Sequence, residues 1–363
     1  MAVMVKKIVF LMPSLKTGGG NRVTIELSNQ LVKLGCDVDI VYPNNSLDFN
    51  TFAMADNIKF IKIGCFSTSK KQKIVNLLKC YQYINNAYDR EIIIVSDPIM
   101  SIFAFLARSK KIYRFIQVDD YRIFDDLYLL KNIFTLYSYK LLTRFFYKLK
   151  IGYIFNSIDS YEKYIQVSNR NDVPFKIVHP AIDHEVFFDK DIRSHEEVNL
   201  CIVARKHPWK GFKDFIDAYN AGKIKGLSKV YVISHDDLSE FDLKKVNLVC
   251  PKNDNEIAYY MNISHLFLST SWMEGFGLPP LEAMACGCAC LISNSGGVNE
   301  YAVSNVNCLM YEPKNISEMV SKLNELVSNT SLQNKLREKG NHTVKNFNWQ
   351  KSTQQLLNIL NDQ

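Results

Sequence analysis

Short apolar runs alternate with amphipathic stretches along most of the chain, and their order predicts the fold. KKIVFLMP, residues 6–13, reads as a buried strand. SLKTGGG follows, and then NRVTIELSNQLVKLG, whose apolar positions recur at helical spacing and stop at Gly35. CDVDIVYP, residues 36–43, reads as a second strand. Strand, glycine-rich turn, helix, strand is the opening of a doubly wound α/β domain. EIIIVSD and KIYRFIQVDD read as later strands of the same sheet, and YIFNSI and FKIVHPAI continue the alternation.

The pattern then restarts. VNLCIVAR, KVYVIS, VNLVCP, HLFLSTS, CACLIS and NCLMYEP read as strands, and GFKDFIDAYNAG, DNEIAYYMNIS, PLEAMACG and NISEMVSKLNELVSN as helices between or after them. Two Rossmann-like domains are therefore expected, residues 1–185 and 186–345, with NFNWQKSTQQLLNIL forming a closing helix within 346–363. Ligands of such sheets bind at the carboxyl ends of the strands, so a chain of this kind is expected to bind between its domains.

Length and composition agree with this picture. A chain of 363 residues with 47% hydrophobic and 22% charged residues suits two globular domains and gives no sign of disorder or repeats. The apolar run after Lys7 is too short for a leader, and Asp97 and Pro98 interrupt the most apolar region, 92–107, below the length of a membrane span. Nine cysteines without a disulfide-like spacing fit free thiols in a reducing cytoplasm. The net charge of +7 is modest and spread out, and no nucleic-acid partner is expected. Two stretches concentrate it: Lys70, Lys71, Lys73 and Lys79 in one, and Lys140, Arg144 and Lys148, four residues apart, in the other. They read either as surface helices whose apolar sides meet the core or as a surface that docks on an anionic membrane.

Three loops carry candidate chemistry. Gly18, Gly19 and Gly20 lie between a strand and a helix, where backbone amides meet an anion or where glycine merely permits a tight turn. The spacing is not G-x-G-x-x-G, and no acid closes the second strand, so a nicotinamide cofactor is not expected. In VARKHPWKGF, Arg205 and Lys210 flank a strand-to-helix loop, where two cations neutralise a pyrophosphate or are simply solvated; His207 reads as a loop residue. In SWMEGFGLPPLEAMACG, the turn Glu274-Gly275-Phe276-Gly277-Leu278 runs into a helix that tolerates Pro279 and Pro280 at its start. Its amides form a second anion cradle, Glu282 in the first helical turn suits a ribose diol, and Glu274 suits sugar hydroxyls. D-V-D at 37–39 reads as strand alternation rather than a metal motif, and the cysteines of C-x-C-x-C at 286–290 as buried thiols rather than zinc ligands.

The chain resembles the family 4 retaining glycosyltransferases of the GT-B fold, two Rossmann-like domains facing each other across a cleft. E-G-F-G-L-P-P-L-E-A-M-A-C-G is similar to their E-x(7)-E motif. HPAIDHEVF at 179–187, the Arg205/Lys210 pair, SGGVNE at 295–300, the N-terminal glycine loop and the C-terminal helix extend the resemblance over nearly the whole chain. It implies an acceptor-binding first domain, a second domain for the nucleotide-sugar, and a last helix that crosses back to the first. It implies that Arg205 and Lys210 hold the donor diphosphate, that Glu282 holds the ribose, and that Glu274 with the amides of Gly275 to Leu278 faces the sugar. It implies metal-independent transfer with retention, no cofactor, and a glycan acceptor, lipid-linked or on the cell surface, at the inner face of the plasma membrane. Many relatives carry a histidine where FIQVDDY stands here; Gln117, Asp119 or Asp120 takes its place, and a deoxysugar donor stays open. Ala289 stands where the family usually has proline. Acceptor specificity is expected around residues 65–150. A GT-B-fold sugar-nucleotide epimerase, a glycosidase using Glu274 and Glu282, and a catalytically silent homologue are the alternatives.

Overall fold

The structure, a computed structural model, describes residues 7–48, 52–67, 69–109, 111–125, 127–194 and 197–362. The first six residues, which belong to the leader question, lie outside that set. The chain forms two compact units, Met1–Pro180 with Trp349–Gln363, and Ala181–Asn348. The divisions fall at 180/181 and 348/349, where the sequence pattern suggested 185/186 and 345/346.

The first unit is a parallel sheet of six strands: β1 (Lys7–Leu11), β2 (Asp37–Pro43), β3 (Lys59–Ile63), β4 (Ile92–Val95), β5 (Ile112–Ile116) and β6 (Gly152–Phe155). Their order is β3-β2-β1-β4-β5-β6. The helices are α1 (Gly19–Lys33), α2 (Lys70–Ala87), α3 (Pro98–Phe105), α4 (Ile133–Tyr147) and α5 (Ile158–Ser168). Strands β4 and β5 are buried throughout, as expected of strands covered on both faces. Right-handed crossovers place α1 on one face and α2, α3 and α4 side by side on the other. Helix α11 (Trp349–Asn361) completes this unit by packing on α1.

The second unit repeats the plan with β7 (Asn199–Val203), β8 (Lys229–Ile233), β9 (Asn247–Val249), β10 (Leu266–Ser269), β11 (Ala289–Ser293) and β12 (Leu309–Tyr311). Its order, β12-β11-β10-β7-β8-β9, is the same winding. Between and after the strands come α6 (Phe212–Asn220), α7 (Asp254–Asn262), α8 (Leu278–Ala285), α9 (Ile316–Ser328) and α10 (Thr330–Val344). In each unit the chain reverses its direction of travel at one point, between β1 and β4 and between β7 and β10. Crevices at the carboxyl ends of such strands are the usual ligand sites.

Several elements differ from the sequence expectation. FKIVHPAI forms no strand but two isolated bridges, Phe155 to Ile177 and Ile182 to Asn348. Pro174 precedes the segment and Pro180 lies within it, and neither offers an N–H to a ladder. Helix α1 starts inside the glycine loop, at Gly19. The Asp97-Pro98 break is the start of α3, where Asp97 accepts from the N–H groups of Ile99 and Met100. Strand β3, helix α3 and helix α10 carried no signal that the pattern resolved. Helix α4 buries Leu136, Thr143, Phe146 and Tyr147, yet leaves Phe134, Tyr137, Leu141 and Phe145 in solvent, so only part of its apolar surface meets the core. Among the described residues no helix is long and apolar enough to cross a membrane.

Asn76 of α2 ties down the loops at the carboxyl ends of β2 and β3. Its side chain, wholly buried, donates to Cys65 O and Asn45 Oδ1, both at 2.9 Å, and accepts from Gln72. Gly64 has φ +88°, and a Cβ there would fall 2.1 Å from Asn76 Oδ1, so loop and side chain are matched. Asn76→Ala is expected to cost about 2–3 kcal/mol in urea unfolding, because buried backbone acceptors lose their donor.

Candidate functional site

The loops after β7 and β10 meet at the carboxyl edge of the second unit. Strand β7 ends at Val203; buried Ala204 follows, and then Arg205, its side chain 33% exposed. Its Nε donates to Asp236 Oδ2 at 2.9 Å, and the Lys206 N–H donates to the same oxygen. His207 stacks on Trp209, ring centroids 4.5 Å apart, and a 3-10 turn, Pro208–Lys210, leads to Gly211. Gly211 has φ +64°, and a Cβ would lie 2.0 Å from the Thr270 carbonyl; only glycine lets the two loops pass this closely. Thr270 Oγ1 donates to Lys210 O at 2.7 Å, and Trp272 N–H to Trp209 O. Trp272 Nε1 reaches Asp214 of α6.

Lys210 Nζ donates to Glu274 Oε1 at 2.7 Å. The pair is partly sheltered, its side chains 28% and 17% exposed. The backbone of Glu274 is held in turn by SGGVNE: its N–H donates to Ser295 O and its carbonyl accepts from Gly297 N–H. A Cβ on Gly297 would sit 2.0 Å from Gly275 O, so this loop also requires glycine. Phe276 is buried against Tyr301 and Phe347, and the Tyr301 hydroxyl donates to Gly277 O. The side chains of Phe276 and Leu278 are both buried, so neither projects from the turn.

Gly277, at φ +82°, precedes α8, and no side chain caps that helix. Pro279 and Pro280 have no N–H, so the backbone donors left at the positive end of the helix dipole are those of the turn before them. Glu282 is the fifth residue of α8 and lies in its second turn; the first-turn expectation is corrected because the helix starts at Leu278 rather than at the prolines. The side chain is buried.

Burial pushes the Asp236 carboxyl up, but the Lys206 N–H and the Arg205 guanidinium outweigh it and leave it below the ordinary carboxylate value. Burial lowers His207, and Arg205, Lys206 and Lys210 add to that against the pull of Asp236, which keeps the imidazole neutral at pH 7. The net result is a sheltered pair of fixed cations, each with one carboxylate partner.

In the first unit, Gly18 precedes α1 with an extended backbone, φ 173°, and α1 has neither a side-chain cap nor a first-turn acid. A Cβ on Gly18 or Gly19 would meet nothing within 4 Å, so neither internal packing nor backbone conformation demands glycine there. Gln117, at the end of β5, donates to Gly20 O at 3.2 Å and is half-buried. Asp119 and Asp120 turn inward. Asp120 accepts from Arg114 at 2.7 Å and from the Tyr147 hydroxyl, both buried, and Asp119 accepts from Arg122 and from the N–H groups of Tyr121 and Arg122. Both carboxylates expected at the histidine position are thus committed to intrachain partners, and Gln117 is the polar side chain beside the glycine loop.

The lesser motifs resolve simply. Asp39 is buried with Lys7 and Tyr88, whereas Asp37 is exposed. Cys286, Cys288 and Cys290 are buried, and burial raises all three thiols. No cluster able to hold a metal occurs among the described residues. Asp236, Gly211 and Thr270 went unmarked in the sequence, and Gly297 was noted only as part of SGGVNE. An acid closing the strand next to that of Arg205 was a usable signal only once β7 and β8 were known to be neighbours.

Comparison with known proteins bears on the family and the fold. Residues 183–343 match the family described as glycosyl transferases group 1. Those residues are a group 1 glycosyltransferase domain. The chain is 30% identical over 149 residues to one uncharacterized glycosyltransferase of Methanocaldococcus jannaschii, covering 40% of this chain and 42% of that protein. A second from the same organism is 24% identical over 336 residues, 84% of each chain. Sucrose-phosphate synthase from Thermosynechococcus elongatus superposes with a TM-score of 0.82 at 14% identity over 98% of both chains. Anabaena HepE, solved with UDP and glucose, superposes with a TM-score of 0.74 at 18% identity over 99% of this chain and 100% of that one. The fold is GT-B. Apart from Phe347, which packs behind the Glu274 turn, the second-unit residues of the candidate site lie within residues 183–343.

Asp236→Asn tests the anchoring of Arg205. A carboxyl held below its ordinary value contributes stability above the unfolded-state value, about 3.9, and loses it as the pH falls through the folded value. The variant is expected to lose about 0.5–1 kcal/mol at pH 7, with the gap to wild type closing under acid. Thermal unfolding at pH 7 and near pH 3 measures both.

Proposed function

We propose that the chain is a metal-independent, retaining glycosyltransferase that moves a hexosyl or deoxyhexosyl group from a nucleotide-sugar to a glycan acceptor, lipid-linked or part of a cell-surface polysaccharide. The observation that carries the reading is the Arg205/Lys210 pair, fixed by Asp236 and Glu274 beside the uncapped start of α8. That arrangement suits a diphosphate: arginine supplies a planar fork, lysine a point charge, and the helix terminus backbone donors.

On this reading the incoming diphosphate takes Lys210 Nζ from Glu274, and the released carboxylate accepts from hydroxyls of the sugar. Glu282 accepts from the ribose. Arg205 and Lys210 offset the charge that grows on the departing nucleotide, which is the electrostatic demand of the transfer and the reason no metal is invoked. Gly18, Gly19 and Gly20 leave room for close approach in the first unit, and Gln117 rather than Asp119 or Asp120 stands beside them. The relative solved with UDP and glucose makes a uridine nucleotide the first donor to test. The protein would work at the cytoplasmic face of the plasma membrane.

Arg205→Ala and Lys210→Ala are each expected to lower kcat/KM by about 10²–10³-fold, the usual loss when one preorganised charge-stabilising group is removed. The assay is nucleotide release with and without acceptor, together with NMR of the anomeric configuration of the product. Release that requires acceptor, with the donor's configuration kept, supports the proposal. Conversion of the donor without acceptor makes the protein an epimerase, and inverted product rejects retention.

A further inference from the structure

We propose that the outer surface of the α2–α3–α4 layer docks on an anionic phospholipid bilayer. The proposal rests on the membrane location given above and names the surface and the lipid class. A 15-residue helix over a sheet ordinarily turns its one apolar stripe inward. Helix α4 has two. Leu136, Thr143, Phe146 and Tyr147 face the core, while Phe134, Tyr137, Leu141 and Phe145, spaced three, four and four residues apart, are 78%, 64%, 64% and 55% exposed. Its neighbour α3 exposes Ile99 and Phe105, with Leu106 just beyond its end, and α2 exposes Ile74, Val75 and Leu78. The three helices lie side by side on one face of the sheet, with α3 packed against both others. Together they expose a broad apolar patch on one unit of the chain.

Charge decides the occupant. The α2, α3 and α4 segments contain no aspartate or glutamate. Helix α2 brings Lys70, Lys71, Lys73 and Lys79, and α4 brings Lys140 and Arg144. The last two lie over the Tyr121 ring, at 4.8 and 5.1 Å, and Lys140 also pairs with Asp125, so they line one edge of the helix rather than interrupt the exposed stripe. At the C-terminal end of α4 a recess of about 460 Å³ is lined by Lys148, Lys150 and Arg170, with Asp172 bound to Arg170. Phenylalanine, tyrosine and leucine on helices without a carboxylate, with nearby Asp125 and Asp172 each paired to a cation, fit a helix lying in the headgroup region of a bilayer, with apolar side chains at the acyl boundary and lysines on lipid phosphates. A second copy of the chain would place the same cations against one another.

Flotation of the full chain with vesicles tests this, using phosphatidylcholine alone and phosphatidylcholine with phosphatidylglycerol. Binding is expected to the anionic vesicles, to weaken with added salt, and to fall about tenfold or more in Phe134→Ser/Leu141→Ser and in Lys71→Ala/Lys79→Ala. The lysine variant should lose chiefly the salt-sensitive part and the apolar variant the part that survives salt. Thermal shift with nucleoside diphosphates on the same samples reports folding and the donor site separately. Nucleotide binding without flotation overturns the docking surface and leaves the transferase reading intact; flotation without nucleotide binding does the reverse. Vesicle binding unchanged in both variants, or a dimer that the apolar variant dissolves without any vesicle binding, also overturns it.

Discussion

The bond between Lys210 and Glu274, 2.7 Å long, joins the two loops on which the second unit's chemistry depends. The strands before those loops, β7 and β10, are neighbours at the point where the sheet changes its direction of winding, so the loops diverge unless something ties them. Gly211 allows their backbones to pass, Thr270 bonds across, and the ion pair closes the contact. A pair still partly open to solvent adds little to stability. Its value lies in orientation: it holds a cation and an acid in place, partly shielded from water, where an anionic ligand can exchange with the acid for the cation.

The same economy governs the turn from Glu274 to Leu278. Its side chains are small or turned into the core, as Phe276 is by Tyr301 and Phe347, and Gly275 to Leu278 are all buried. Gly297 backs that turn so tightly that a methyl group would meet the Gly275 carbonyl. The stiffness is therefore built from behind by SGGVNE, and the double proline restricts the start of α8 without closing its N-terminus to an anion.

Much of this was legible in the sequence, because buried parallel strands are continuous apolar runs and glycine or proline marks the turns between them. The Arg205 and Glu274 loops were found that way. What escaped depended on neighbours distant in sequence. Asp236 acquires meaning only when β8 lies beside β7. Asp119 and Asp120 resembled site acids until Arg114, Arg122 and Tyr147 were seen to engage them. The exposed stripe of α4 could not be separated from a core stripe, since periodicity shows that two faces differ and not which of them meets the sheet. FKIVHPAI matched a strand in composition, but Pro174 before it and Pro180 within it limit it to isolated bridges.

Calorimetric titration of UDP, GDP and dTDP into wild type, Arg205→Ala and Lys210→Ala tests the central claim most directly. The account predicts that one nucleotide binds the wild type selectively, that binding weakens with salt, and that each variant loses about tenfold or more, as expected when a charge-assisted contact is removed. Equal affinity in all three proteins, or no binding by any nucleotide, would contradict a diphosphate site at Arg205 and Lys210.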